Sequence, residues 1–197
     1  MSESPLNVLA VSGSLHERSV TLKVLSEIGE GLREVGCTVD ILDLREEPLP
    51  LFDPDTAYEQ PEYERARERV LKADVFLLGT PDYHGSPSGV LKNFLDHFWR
   101  EFSGKLIATI VASHEKGLTV TDQLRTIARQ CYAWTLPYGV SFNGRVDLKD
   151  GRIASEALEK RAEMLVHDIR VYGRLLAQQR AADLAGKNPG FLARLRK

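Results

Sequence analysis

Glycines, hydroxyls and histidines gather in three short stretches, each directly after an apolar run: "SGSLHERS" from Ser12 to Ser19, "TPDYHGSPS" from Thr80 to Ser88, and "SHEKG" from Ser113 to Gly117. The first leads into a helical pattern. A helix start carries unpaired N–H groups and roughly half a positive charge, so it attracts phosphate. Gly13 lets the backbone turn tightly, while Ser14, Ser19 and Thr21 offer hydroxyl donors. Longer phosphate motifs are missing. There is no G-x-x-x-x-G-K-[ST], a dinucleotide fingerprint lacks its second and third glycines, and Asp43 falls too far downstream. What remains is a cup for one phosphate monoester, or a helix simply capped by Ser19; the residues alone fit both.

The second stretch meets several chemistries. "GSPSG" (Gly85–Gly89) has the outline of a nucleophile elbow, but its centre is Pro87, which argues against a hydrolase serine. His16, His84, His97 and His114 form no H-x-x-x-H pair, and no C-x-x-C exists, so no zinc site is expected. Neither Cys37 nor Cys131 has an arginine six residues on, which excludes a cysteine phosphatase loop. Pro81, Tyr83 and Pro87 give instead a stiff aromatic loop able to line a planar ring, or a proline-rich connection capped by Ser88. A phosphate cup two loops away favours the ring, and phosphate plus planar heterocycle means a mononucleotide.

The elements that must position these loops alternate strictly. "NVLAVS" (Asn7–Ser12) reads as a strand buried on both faces. Leu22, Leu25, Ile28, Leu32 and Val35 recur at helical spacing over 19–35, and Gly36 stops the helix. "TVDILDL" (Thr38–Leu44) is a second strand, "REEPLPLFDPDTAYEQP" a surface loop, and 61–72 a short helix. "DVFLLGT" (Asp74–Thr80) is a third strand, followed by a helix with Val90, Leu91, Phe94, Leu95, Phe98 and Trp99 on one face. That aromatic face serves the core or a dimer seam. "KLIATIVAS" (Lys105–Ser113), a helix marked by Val120 to Cys131, "WTLPYGV" and a long helix from Leu158 to Leu176 complete the set. Alternation of this kind predicts an α/β, flavodoxin-like three-layer sandwich, with a five-stranded parallel sheet of order 2-1-3-4-5. In such sheets ligands bind beyond the carboxyl ends of the strands, where the three chemical loops fall. The expected domain spans residues 1–180, with a basic tail, helical or a subunit contact, over 181–197.

Composition agrees with one globular domain. Charged residues make up 27% and the net charge is −2, so no global positive field recruits nucleic acid or acidic lipid. Two cysteines cannot make a disulfide framework and read as buried thiols in a reducing compartment. The polar start "MSESPLN" has no signal-peptide pattern, and the longest apolar runs are too short to span a bilayer. A cytoplasmic protein is expected.

"SGSLHERSVT", "DLREEPLPLFDPD" and "GTPDYHGSPSGVLKN" together resemble the NADPH-dependent FMN reductase family of flavodoxin-like proteins, from about Leu6 to Val140. The resemblance implies FMN as cofactor, with Ser14, His16, Ser19, Val20 and Thr21 holding its phosphate and Arg18 beside them. The family pattern usually carries Arg where His16 stands and often Asn where Thr21 stands. Pro81, Asp82, Tyr83 and His84 would border the isoalloxazine with Ser86 close by, and Ser113, His114 and Gly117 would approach its pyrimidine end. The implied reaction passes hydride from NADPH or NADH to the flavin and on to a small acceptor: free flavin, quinone, azo compound or metal oxyanion. No acid–base dyad is implied, His84 being at most a proton donor and water the alternative. The family commonly forms homodimers or homotetramers, with flavin sites near subunit interfaces. Two other classes share the fold: a flavodoxin-type carrier fed by a protein donor, and a mononucleotide-binding module without turnover. A carrier needs a strongly acidic docking face, which a net charge of −2 with a basic tail supports poorly.

Overall fold

The computed structural model describes residues 4–196. In chain order the elements are β1 (Asn7–Ser12), α1 (Val20–Glu34), β2 (Thr38–Asp43), α2 (Pro61–Lys72), β3 (Val75–Tyr83), β4 (Ser86–Pro87) and α3 (Gly89–Asp96). After them come β5 (Leu106–Ala112), α4 (Leu118–Gln130), β6 (Trp134–Thr135), β7 (Val140–Phe142), β8 (Leu148–Lys149), β9 (Arg152–Ile153) and α5 (Glu156–Ala185). Strands β2, β1, β3 and β5 lie side by side and parallel, and β6 and β7 both pair with β5 on its outer side. Counting β6 and β7 as one interrupted strand gives the order 2-1-3-4-5 expected from the sequence.

Local chemistry explains the helix boundaries. Ser19, Ser88 and Ser155 cap α1, α3 and α5, each hydroxyl oxygen accepting the amide three residues on. Pro61 opens α2, where its missing N–H costs nothing. Gly36, with φ of +88°, ends α1 in the left-handed conformation that favours glycine.

The central strands β1, β3 and β5 carry buried, largely apolar runs because both of their faces are covered. Leu9, Val11, Phe76 and Leu78 face one core with α2, α3 and α4, built around Tyr63, Val70, Leu91, Phe94 and Leu124. Val8, Ala10, Val75 and Leu77 face a second core with α1 and α5, around Leu25, Ile28, Leu165 and Ile169. Each fully buried Leu, Ile or Phe contributes about 1.5–3 kcal/mol. α5 lies close on the sheet at Gly173, where a Cβ would meet Val75 Cγ2 at 2.6 Å. Among the described residues no helix is long and apolar enough to cross a membrane.

Four details differ from the sequence reading. α3 stops at Asp96, so Phe98 and Trp99 lie beyond it rather than on its face. Phe98 and Phe102 still reach the core, the latter through a short 3₁₀ helix at Arg100–Phe102, whereas Trp99 is 47% exposed. The fifth strand breaks at Leu136–Gly139, because Pro137 has no N–H to give the ladder. The Tyr138 hydroxyl ties this break to α5 by donating to Asp168 Oδ2 at 2.8 Å. β3 runs on to Tyr83 and pairs with β4 in a hairpin, and a second hairpin, β8–β9, follows β7.

α5 continues through Ala185, across the boundary expected at 180. The remaining tail folds back as a 3₁₀ helix, Phe191–Arg196. Leu192 is buried there over Gly104, and Phe191 stacks on Tyr132 with ring centroids 6.1 Å apart.

Candidate functional site

At the end of β1 the chain passes through a gap that only glycine fits. The Gly13 amide donates to Gly79 O at 2.8 Å, and Gly13 O accepts from the Ser88 hydroxyl. A Cβ on Gly13 would stand 2.6 Å from Leu91 Cβ. The loop is thereby drawn down onto β3 and α3 before it rises to α1. Farther on, His16 Nδ1 accepts the Arg18 amide at 2.9 Å, which leaves the imidazole proton on Nε2.

At the helix start Ser19 takes up the capping role. Its Oγ accepts the Leu22 amide at 3.0 Å and its carbonyl accepts the Lys23 amide, so it is a cap. A hydroxyl that accepts still has its own proton to donate, so the cap does not exclude an anion contact. Of the amides that begin α1, those of Val20 and Thr21 have no partner among the described residues, and both residues line a cleft.

The second wall is the β3–β4 hairpin. Asp82 pairs with Pro87 and Tyr83 with Ser86, leaving His84 and Gly85 as a two-residue turn. Their φ values of 58° and 77° are both left-handed, the requirement of a type I′ turn. Asp82 braces it: Oδ1 accepts the Gly85 amide at 2.8 Å and Oδ2 accepts the Ser113 hydroxyl at 2.9 Å. From α4, Gln123 Nε2 donates to Gly85 O at 2.8 Å and to Ser86 Oγ at 3.2 Å. Below, Thr80 Oγ1 accepts the Ser88 amide. Tyr83 is left 54% exposed beside the cleft.

Between these walls lies a cleft of about 410 Å³, within the usual range for small-molecule sites. Ser14, His16, Arg18, Ser19, Val20 and Thr21 form one side. Pro81, Asp82 and Tyr83 form another, and Ser113 and His114 close a third. His84 and Gly117 line instead an adjoining cleft of about 780 Å³ that shares Asp82, Ser113 and His114. Ser86, on β4, lines neither, and its Oγ accepts from Gln123 Nε2.

Three lining residues have no counterpart in the sequence reading: Ala112, Gly144 and Arg145. The last two sit on the loop after β7. The rule that selected the other loops, that ligands bind beyond strand carboxyl ends, applies equally to "FNGR" (Phe142–Arg145) and would have found them.

Residues 6–146 match the family model described as NADPH-dependent FMN reductase. The chain belongs to the NADPH-dependent FMN reductase family. It is 32% identical over 169 residues to the NADH-dependent FMN reductase SfnE of Pseudomonas putida, covering 82% of this chain and 89% of that one. It is 30% identical over 174 residues to an FMN-dependent NADPH-azoreductase of Staphylococcus saprophyticus, covering 82% and 92%. Among solved structures, the flavoenzyme NAD(P)H:(acceptor) oxidoreductase FerB from Paracoccus denitrificans superposes with a TM-score of 0.70 at 22% identity, over 86% of this chain and 98% of that one. This last likeness concerns the fold. The chain is thus an oxidoreductase that uses FMN and a nicotinamide nucleotide.

Proposed function

We propose that FMN binds across the cleft, its phosphate at the start of α1 and its ring along the β3–β4 hairpin, and that the adjoining cleft admits the nicotinamide nucleotide and then the electron acceptor. One observation carries this reading: open helix amides, hydroxyls and a braced hairpin with an exposed tyrosine converge on a single cavity. The residues fit the group. Two amides, those of Val20 and Thr21, and the hydroxyls of Ser14 and Ser19 suit a phosphate monoester. The gap at Gly13 seats the loop that carries Ser14 and His16 against β3 and α3.

When bound, FMN supplies the hydride chemistry, accepting from the nicotinamide and passing reducing equivalents on. The chain's own residues bind and orient. His16, with its proton on Nε2, presents an N–H donor to the anion. Asp82 acts on the hairpin rather than on substrate, because both carboxylate oxygens are engaged. Pro81 and Tyr83 supply a stiff wall for the ring, with Ser113 and His114 opposite. His84, at the hairpin tip in the larger cleft, is the side chain that would hand a proton to a reduced acceptor, with water as the other source.

The acceptor class is a small, flat or oxidised molecule: free flavin, quinone, azo compound or metal oxyanion. A homo-oligomer in the cytoplasm completes the proposal. Met164, Val171, Tyr172 and Leu175 recur at helical spacing along α5 and are 41%, 37%, 48% and 56% exposed, a stripe that a second subunit would cover.

The test is the visible spectrum of the purified protein supplied with FMN, followed by anaerobic NADPH and NADH in turn. The expected result is a bound flavin spectrum that bleaches with either donor, the faster one being preferred. Bound flavin that stays oxidised would overturn direct use of the nicotinamide nucleotide.

A further inference from the structure

We propose that Arg145, on the loop after β7, is a phosphate-reading residue of the cofactor site; this rests on the FMN reading given above. The loop's course carries the argument. Gly144 packs directly on Val20, the first residue of α1: a Cβ there would lie 3.2 Å and 3.3 Å from the two Val20 methyl carbons. Arg145 follows immediately and lines the same cleft as His16, Arg18, Ser19 and Thr21. Its neighbourhood is therefore the amide end of α1, where the anion belongs.

The turn holding Arg145 is braced. Asn143 Oδ1 accepts the Arg145 amide at 2.9 Å, and Asp147 Oδ2 accepts the Asn143 amide at 2.7 Å. Asp147 Oδ1 in turn accepts the hydroxyl of Ser155, the cap of α5, at 2.6 Å. The loop is locked between the sheet and two helices, so the arginine departs from a fixed base.

The guanidinium itself is uncommitted. Three other arginines of this fold serve structure: Arg69 pairs with Asp40 and Glu47, Arg33 donates to Val39 O, and Arg161 donates to Gly139 O. Among the described residues Arg145 has no such partner. A phosphate monoester carries nearly two negative charges at neutral pH, whereas His16, its Nδ1 taken up by the Arg18 amide, offers a single N–H donor. A forked, permanently charged donor lining the same cleft complements that charge.

The test is a fluorescence titration of the flavin-free full chain with FMN and with riboflavin, which lacks the phosphate, for wild type, Arg145→Gln and Arg145→Lys. Arg145 is exposed, and matched circular dichroism and melting curves check that the variants fold. The expected result is an FMN Kd weakened ~10-fold in Arg145→Gln, the scale of one charge-assisted hydrogen bond. Riboflavin binding should be unchanged, the salt dependence of FMN binding smaller, and Arg145→Lys intermediate. Equal weakening for both flavins, or none for FMN, would overturn the proposal. So would an unchanged FMN Kd with a raised KM for NADPH but not NADH, which would assign Arg145 to the nicotinamide nucleotide. Wild type that binds riboflavin and FMN equally well overturns Arg145 alone, while wild type that binds neither overturns the FMN reading beneath it.

Discussion

Asp82 and Ser113 are joined side chain to side chain, Oδ2 accepting the hydroxyl at 2.9 Å, and the same carboxylate holds the Gly85 amide with its other oxygen. One residue therefore fixes the β3–β4 hairpin to the loop after β5, and both segments line the cleft. Asp82→Ala should lower stability by about 1–3 kcal/mol, as expected when buried partners lose a charged acceptor, and weaken FMN binding. Thermal melts and flavin titration of Asp82→Ala, Ser113→Ala and the double variant check this. The two single losses should sum to more than the loss of the double variant, because both remove the same bond.

Gly13→Ala should be more damaging than its single methyl suggests. The new Cβ would meet Leu91 Cβ at 2.6 Å, and that atom is fixed by the α3 backbone, so no side-chain rotation relieves it. A loss of about 1–3 kcal/mol is expected in denaturant unfolding, together with markedly weaker FMN binding.

Lys105 gives a pH dependence of known sign. Burial lowers its pKa from the usual 10.5 to about 7, with Arg180 acting the same way and Asp74 and Glu101 opposing. Its Nζ donates to Val70 O at 2.8 Å and Leu71 O at 3.2 Å, closing the end of α2. Between about pH 7 and 10.5 the unfolded chain holds the proton that the folded chain has released, so stability from this group rises with pH across that window. Below about 7 both forms are charged and the burial penalty is constant. Subtracting the pH–stability curve of Lys105→Met from that of the wild type should expose the rise, with a slope of at most ~1.4 kcal/mol per pH unit.

The tail should contribute to stability without touching catalysis. Leu192 is 2% exposed and fills the space over Gly104, at the amino end of β5 and away from the cleft. Leu192→Ala should cost about 2 kcal/mol in a melting experiment while the FMN Kd stays put.

Both thiols should be silent in the native protein. Burial raises the Cys131 pKa to about 11, helped by Asp96 and Glu101, and burial likewise raises Cys37 against the pull of Arg174 and Arg170. Intact-mass measurement after iodoacetamide treatment at pH 8 should find no adduct on the folded chain and two in urea.

Periodicity made most of this architecture legible. The unbroken apolar run of β1 and the repeats of α1, α4 and α5 are set by burial, which a sequence records directly. Ser19, Ser88 and Gly36 marked helix ends because unpaired terminal amides call for a hydroxyl and a left-handed stop calls for glycine, while the cap Ser155 was not read. What escaped notice depended on path rather than pattern. "YHGS" carries a turn signal, yet the left-handed φ of His84 and the pairing of Tyr83 with Ser86 follow from how Asp82, Ser113 and Gln123 grip the chain. Phe98 kept its place in the core although its helix had already ended, because its amide still donates to Leu95 O at 3.4 Å and so carries the turn on. Arg145 comes near the first loop only because Gly144 crosses Val20, a contact between residues far apart in sequence.

Pro137 also keeps the rim of the sheet closed to strangers. A long outer strand offers a row of open amides and carbonyls on which another extended chain can grow into a fibril. Here the outermost position holds two residues, a proline-containing turn and three residues more, with Gly139 wedged against Thr109 and Thr121. At the other rim Arg69 reaches across β2 to Asp40 and to the Ile41 carbonyl, filling one of the groups a foreign strand would use. The interruption that shortened the fifth strand is thus a barrier to aggregation, and a continuous β-forming sequence installed over 134–142 would remove it.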